Sequence, residues 1–464
     1  MATEQITLAE VLFFIENELP NPIVQIGYPN LDLETRLDEA TITGNPGFFD
    51  VRDNNLVVRG GQNLWLRASR DYAAITAFSD IMPSGGDYTI PAGKKVSFDN
   101  RIWDAPSRPP GSIELRCSER WGGGMMQAER AISEMLSDFR RDYTAQFLYH
   151  HSAVGPAEAG MNKYLRSLGI TPATYVKRDL DPRVNVVVMS ARGPDGYVED
   201  KVIGKHPFQA YNIEEEEFHA MMDGAFRGKT GTLFDNGVKY DFEIAHAVSY
   251  ALEHGLHMVS VISDSTAKHK KLVRERLIPN STYLGNEEEI GVITGATTVE
   301  RYKHEKKINL GGCLDAICTL REWQGDTPQN MYPTLGELGS ISVDRDGDIT
   351  WMSGYGSAYL GREPNTNGFG DTFAATVALM ENLGTAGYHF SAAEIQKVAT
   401  AVVGSKKRSR CNQIDAKDVD DLITNNEIKI VKLGRIEYNP VTHSAVIDAD
   451  QPGLGRVKAY FDSF

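Results

Sequence analysis

Short apolar or β-branched runs alternate with amphipathic helical stretches along most of the chain, and this alternation limits the available folds more than any other feature. Ile23–Gly27, Ala73–Phe78, Asn185–Met189, Met258–Ile262, Ile341–Val343 and Ile428–Val431 each have the length and composition of a buried strand. Gln127–Asp138, Ala159–Leu168, Asp241–His254, Asp371–Leu383 and Ala392–Val403 repeat apolar residues at spacings of three and four, the period of a helix with one buried face. Buried strands separated by helices predict a parallel α/β sheet. Asn45 to Pro110 is richer in Gly, Pro, Asp and Asn, and reads as an extension or insertion of short strands and loops. Val184–Met189 and Gly196–Val202 flank Pro194-Asp195-Gly196, a strong turn signal, and so form a hairpin pattern. The chain shows no internal repeat.

The chain has 464 residues, which gives a soft prior of about three domains at ~150 residues each. Hydrophobic residues make up 41% and charged residues 24%, enough apolar surface for a sizeable core and against disorder, collagen or coiled coil. With 48 Lys+Arg against 63 Asp+Glu the formal charge is −15. Such a surface argues against nucleic-acid binding by bulk electrostatics, but leaves room for local basic sites that hold anions. Cys117, Cys313, Cys318 and Cys411 form no C-x-x-C pair and no disulfide scaffold. No apolar run reaches the ~18 residues of a membrane helix. Met1 to Pro20 carries glutamates and lacks the basic start of a signal peptide. The expectation is a soluble cytoplasmic protein with neither nucleic-acid nor membrane partners.

The strongest chemical signal is Asn365-Thr366-Asn367-Gly368-Phe369-Gly370-Asp371-Thr372-Phe373. Its glycines let backbone N–H groups approach an anion without obstruction by Cβ. A helix starting at or near Asp371 would add the positive end of its dipole. A carboxylate beside such a site can take a proton from an attacking hydroxyl while the amides hold a transferring phosphoryl group. The competing explanation is structural, with Asp371 a helix cap and the glycines a tight turn.

The segment resembles the second signature of the PfkB (ribokinase-like) family of carbohydrate and nucleoside kinases, Asp-Thr-x-Gly-Ala-Gly-Asp-x-Phe. Asn365 stands for the usual Asp and Phe369 for the usual Ala. The resemblance implies that Asp371 is the catalytic base and that the amides of Gly368, Phe369 and Gly370 form an anion hole, with Thr366 on the nucleotide side. Further landmarks follow in family order. Asn286-Glu287-Glu288-Glu289 resembles Asn-x-x-Glu, in which Asn286 and Glu289 would hold Mg²⁺, chiefly through water; alternatively it is an acidic helix start. Thr334-Leu335-Gly336-Glu337-Leu338-Gly339 resembles the Thr-x-Gly-x-x-Gly turn, whose Thr334, Gly336 and Gly339 would support the nucleotide. Ala153-Val154-Gly155 through Gly160, with Leu165 to Ile170, resembles a further family segment, although Pro156 and Ala157 displace its acidic residues.

Gly122-Gly123-Gly124-Met125-Met126-Gln127 resembles Gly-Gly-x-x-x-Asn, which implies that Gly122, Gly123 and Gln127 contact substrate hydroxyls; alternatively it is a glycine loop before a helix. Two segments compete for the first strand and its substrate-binding Asp. One is Ile23 to Gly27 with Asn30 and Asp32; the other is Ala73 to Phe78 with Asp80. Residue match favours the first, spacing the second.

Other patterns fail on their own terms. Gly224 to Thr230 has one residue too few for a phosphate loop and follows a helix. Gly354-Tyr355-Gly356 lacks the third glycine of a dinucleotide fingerprint. His246, His254 and His257 have no acid or Cys cluster to complete a metal set and read as structural. Glu214–Glu217 reads as a solvated helix start. The run Lys406-Lys407-Arg408-Ser409-Arg410 reads as a solvated helix end, although the family builds part of its nucleotide pocket from this region.

The resemblance covers roughly Gly122 to Asn412. It implies a ribokinase-like three-layer α/β/α sandwich with a small β-sheet lid from segments near 85–120 and 183–202. The organisation that follows is an N-terminal extension over 1–70 that can include the first strand, a kinase domain over 71–430, and a C-terminal extension over 431–464. The implied activity is γ-phosphoryl transfer from ATP, with Mg²⁺ and a monovalent cation such as K⁺, to a hydroxyl of a sugar or sugar-like substrate. Thr366-Asn367-Gly368 resembles a variant found in adenosine and inosine-guanosine kinases and makes a nucleoside kinase the runner-up. A non-catalytic sugar or nucleoside sensor is the third alternative, motivated by Gln127 and Phe369. A homodimer through the lid is the implied assembly.

Overall fold

The computed structural model describes residues 21–27, 30–37, 49–52, 55–58, 63–69, 72–77, 88–90, 102–104, 113–116, 118–137, 145–149, 163–168, 170–174, 185–192, 198–205, 214–236, 241–263, 266–302, 305–354, 368–408, 414–425 and 427–463. Its centre is an eleven-stranded sheet. Seven strands run parallel in the order Ile170–Thr174, Ala145–Tyr149, Ile23–Ile26, Thr232–Asn236, His257–Val261, Thr282–Asn286 and Met331–Thr334. Four antiparallel strands complete it: Ser340–Val343, Asp348–Met352, Ile430–Asn439 and Ser444–Ala449.

Successive strand residues point to opposite faces of a sheet, and here both faces are covered by helices. Val24, Leu233, Met258, Tyr283, Met331 and Trp351 join one apolar cluster with residues of the helices Glu215–Phe226, Asp241–His254, Glu287–Thr294, Leu310–Gln324 and Gln451–Phe461. Their chain neighbours Ile23, Phe234, Val259, Leu284, Tyr332 and Met352 join a second cluster with Gly123–Ser137, Phe369–Thr385, Ala392–Arg408 and Ala416–Thr424. The continuous apolar runs are thus explained by burial on both sides. The result is the three-layer α/β/α sandwich.

The strand Ile23–Ile26 is fully buried between two parallel neighbours, in register Gln25 to Phe147 and Gln25 to Phe234. The competing candidate lies elsewhere: Tyr72–Ala77 pairs with Asn63–Ser69 and Ile102–Asp104 in a separate four-stranded sheet, completed by Ile113–Arg116. Sheet pairing therefore decides in favour of Ile23–Ile26 as the first strand. At the other end, residue 431 falls inside Ile430–Asn439, which pairs along Asp348–Met352. Trp351 packs its ring against Tyr460 and Phe461 of the last helix.

A second four-stranded sheet has the order Ser118–Gly122, Asn30–Leu37, Asn185–Arg192, Val198–Lys205. The last two form the antiparallel hairpin that Pro-Asp-Gly signals. Of the expected lid segment 85–120, only its last residues enter this sheet. The others among the described residues pair in a three-stranded sheet and in the four-stranded sheet of Tyr72–Ala77. Asn30 and Asp32, expected just after the first strand, lie in the strand Asn30–Leu37, an inner strand of this second sheet.

The helix Phe369–Thr385 is buried almost throughout, and small side chains at Ala374, Ala375 and Ala378 let it pack closely among Ala128, Ala131, Ala399 and Ala401. Its far end is pinned to the sheet by a buried carboxylate. Glu381 accepts hydrogen bonds from Asn330 Nδ2 at 2.8 Å and Tyr332 OH at 3.1 Å, and His257 Nε2 lies 3.4 Å from its second oxygen. Such a network rigidifies because leaving any member unpaired in the interior is costly. The opposite end of the same helix carries Asp371.

Candidate functional site

The helix bearing Asp371 starts two residues earlier than its sequence indicates. Gly368 is its N-terminal cap, with φ of 78° in the left-handed region that favours glycine. Thr372 donates to the Gly368 carbonyl through both its amide, at 2.9 Å, and its hydroxyl, at 2.7 Å. Asp371 is therefore the third helical residue and not the cap. The first N–H groups of a helix have no partner within it, so the amides of Phe369, Gly370 and Asp371 open a positive end beside a half-buried carboxylate.

The glycine-rich signature near Gly122 meets this turn. Ser118–Gly122 runs straight into the helix Gly123–Ser137. A Cβ on Gly124 would stand 2.7 Å from Asp371 Oδ1 and 3.3 Å from Asn236 Oδ1; one on Gly368 would stand 3.0 Å from Gln127 Cγ. Each signature thus places a glycine against a side chain of the other. Gly122 pairs with Asn30 across the antiparallel ladder, and Asp32 pairs with Arg120. The backbone of the expected substrate segment therefore lies alongside Gly122 and Gly123. Asp80 and Thr366 lie outside the described residues, as do Asn365 and Asn367 and the segment from Ala153 to Gly160.

Asn236 is the residue that sequence patterns did not single out. It ends the strand Thr232–Asn236, is 4% exposed, and its Nδ2 has no hydrogen-bond partner among the described residues. A buried amide donor left unsatisfied at the carboxyl end of a parallel strand, next to Asp371, is where a ligand oxygen would be held. The available signal was the polar end of an otherwise apolar strand.

Asn286 and Glu289 build the start of the helix Glu287–Thr294. Asn286 Oδ1 accepts from the amides of Glu288 and Glu289, both at 2.9 Å, and Glu289 Oε2 accepts from the Asn286 amide at 2.7 Å. This reciprocal capping box stabilises the helix entry by roughly 1 kcal/mol, so the helix-start explanation is realised in full. Among the described residues no group of three His, Cys, Asp or Glu side chains could hold a metal. The donor set of one amide and a few carboxylates fits Mg²⁺ only as an ion that keeps its waters and arrives with phosphates.

The glycines of the next landmark are required by geometry. Gly336 and Gly339 have φ of 57° and 103°, and a Cβ on Gly339 would stand 1.9 Å from the Met352 carbonyl. Leu335 N donates to Gly339 O at 2.7 Å, and the buried Trp351 Nε1 donates to Leu338 O at 3.0 Å. The turn joins Thr334, at the end of its strand, to the antiparallel part of the sheet. Glu287 Oε1 lies 3.9 Å from the position of a Gly336 Cβ, so this turn and the Asn286 cap are neighbours.

The basic run, expected as a solvated helix end, turns inward at Lys406 and Lys407; Ser409 and Arg410 lie outside the described residues. Lys406 is 2% exposed and its Nζ donates to Thr372 Oγ1 at 2.7 Å. Lys407 Nζ lies 5.3 Å from the centre of the Phe369 ring. Burial holds its ammonium below the ordinary lysine range, and the facing Glu337 carboxylate opposes that shift. Arg408, the last described residue of the run, pairs with Glu427. Helix periodicity alone did not reveal this, because it does not say which neighbour covers a helix end. His254 and His257 are held by structural contacts, the first on Tyr250 and Asp223, the second on Thr282 and Glu381.

No protein-family model matches the chain, and no curated protein matches it. Solved structures do. The ribokinase of Arabidopsis thaliana complexed with ribose and ATP superposes with a TM-score of 0.52 at 14% identity, over 87% of this chain and 99% of that one. Phosphofructokinase-2 of Escherichia coli in complex with potassium gives a TM-score of 0.51 at 12% identity, over the same shares of the two chains. The chain has the ribokinase-like fold. No helix among the described residues is long and apolar enough to cross a membrane.

Proposed function

We propose that this chain is a phosphotransferase that moves the γ-phosphoryl group of ATP to a hydroxyl of a sugar or sugar-like substrate. The observation that carries this conclusion is the meeting of Asp371, Gly124 and the unsatisfied Asn236 amide at the amino end of the helix Phe369–Thr385. A binding protein needs donors for its ligand; a half-buried carboxylate beside an anion-holding turn adds the group that hydroxyl activation requires.

In this mechanism Asp371 accepts the proton of the acceptor hydroxyl. The freed oxygen bonds to the γ-phosphorus as the bond to the bridging oxygen breaks, and ADP leaves. The amides of Gly368, Phe369 and Gly370 hold the negative charge of the transferring group, and Asn236 Nδ2 holds an acceptor oxygen. Asn30, Asp32, Gly122, Gly123 and Gln127 form the acceptor side. Thr334, Gly336, Gly339 and Thr366 form the nucleotide side. Asn286 and Glu289 would hold Mg²⁺ through water, which supplies charge neutralisation between phosphates.

Asp371→Asn tests the assignment. General-base catalysis is worth roughly 10²- to 10⁴-fold, so turnover should fall by that order while ATP binding stays near wild type. Unchanged turnover would show that the base lies elsewhere. ATP consumption against a panel of sugars and nucleosides separates the two kinase classes. Ligand binding without stimulation by any substrate would favour a sensor.

A further inference from the structure

Three positive elements converge on one turn of an otherwise acidic protein. The first is the amino end of the helix Phe369–Thr385, whose amides carry a partial positive charge. The second is the buried Lys406 ammonium on Thr372, whose hydroxyl in turn donates to the Gly368 carbonyl. The third is Lys407, set on the Phe369 ring and facing Glu337. Both lysines close their own helix, Ala392–Arg408, where a carboxyl-terminal dipole accommodates cations. That dipole does not explain why they turn onto the positive end of a neighbouring helix. The carboxylates of Asp371 and Glu337 offset part of this charge, and helix amides with two ammonium groups gathered at one turn are an arrangement that favours a multiply charged anion.

Resting on the phosphotransferase reading, we propose that Lys407 contacts the terminal phosphates of the nucleotide donor, and that Lys406 positions the turn through Thr372. Phe369 then has a defined purpose: its ring is the platform that holds the Lys407 ammonium between the anion-holding turn and the nucleotide turn that contains Glu337. A lysine suits this task because its compact ammonium acts as a point charge on phosphate and does not demand two-point geometry.

The test is equilibrium binding of ATP, inorganic tripolyphosphate and adenosine to the full chain and to Lys407→Gln, with folding checked by thermal denaturation. Hydrogen bonds to charged groups are worth roughly tenfold to a hundredfold in binding. Lys407→Gln should therefore weaken ATP and tripolyphosphate by that factor, leave adenosine unchanged, and flatten the salt dependence of ATP binding. Equal ATP affinity in the two proteins overturns the proposal and leaves the kinase mechanism standing. Parallel loss of all three ligands also overturns it, since that marks a structural role. A wild-type chain that binds neither ATP nor tripolyphosphate overturns both. Should Lys407→Gln not fold, amine-reactive labelling of the wild-type chain decides the matter. Tripolyphosphate should protect Lys407, and equal labelling with and without it overturns the proposal.

Discussion

Replacing Gly124 by Ala separates the stability of this fold from its chemistry. The new Cβ would lie 2.7 Å from Asp371 Oδ1, whereas ordinary contact begins at 3.4 Å, so the carboxylate must retreat by about 0.7 Å. Asp371 is half-buried and its carboxylate is the far end of a short side chain, so rotation absorbs the clash more readily than backbone movement. Gly124 is helical with no left-handed requirement, and alanine there is worth up to about 1 kcal/mol of helix propensity over glycine. The fold should therefore be unchanged or slightly firmer. Catalysis should not be. A displacement approaching 1 Å costs on the order of 10²-fold in a positioned reaction, which is about 2.7 kcal/mol in the barrier. A coupled ADP-release assay at saturating ATP, run beside thermal denaturation, reads both quantities. Full turnover in a folded Gly124→Ala protein would refute the geometry assigned to Asp371. Loss of folding would show that the crowding is not relieved by the side chain.

Two further outcomes follow from buried groups away from Asp371. Trp351→Phe removes the donor to Leu338 O and leaves that carbonyl buried and unpaired; it should lower stability by roughly 1–3 kcal/mol and weaken ATP binding, and an unaltered melting temperature would show that the bond does not brace the nucleotide turn. Glu129 is fully buried, neither of its carboxylate oxygens has a hydrogen-bond partner among the described residues, and burial raises its carboxyl well above the usual range, which favours the protonated form in the fold. The unfolded chain ionises the same group in the ordinary carboxylate range, so stability is complete below that range and falls as pH rises toward the folded value. Glu129→Met should flatten this slope and raise stability at the alkaline end of the range, where ionisation of the buried carboxyl opposes folding; identical pH profiles by denaturant titration would sink the assignment.

The capping box at Asn286 and the hairpin around Pro194-Asp195-Gly196 are contained in short stretches of chain, and each could be read from local spacing because its physics is local. Apolar runs likewise identified the strands Ile23–Ile26 and His257–Val261, since only burial on both faces permits so continuous a pattern. Their order in the sheet was not legible. Tyr72–Ala77 is as good a strand by composition as Ile23–Ile26, and only pairing with Ala145–Tyr149 and Thr232–Asn236 set the latter in the core. The strand Asn30–Leu37 alternates polar and apolar residues and went unassigned for want of its partners Ser118–Gly122 and Asn185–Arg192.

The candidate site divides in the same way. By itself the sequence displayed the glycines of Gly368 to Asp371, Gly122 to Gly124 and Gly336 to Gly339; the backbone requires glycine at Gly336, Gly339 and Gly368, whose φ is positive, and close approach sets Gly124 against Asp371. Tertiary structure alone decided that Gly124 faces Asp371, that Gln127 faces Gly368, that Asn236 joins them with an unsatisfied amide, and that Lys406 and Lys407 turn inward onto Thr372 and Phe369. These contacts link segments far apart in the chain. No local preference encodes them; they arise when the helices Gly123–Ser137, Phe369–Thr385 and Ala392–Arg408 are packed side by side on one face of the sheet, and the packing fixes which ends meet.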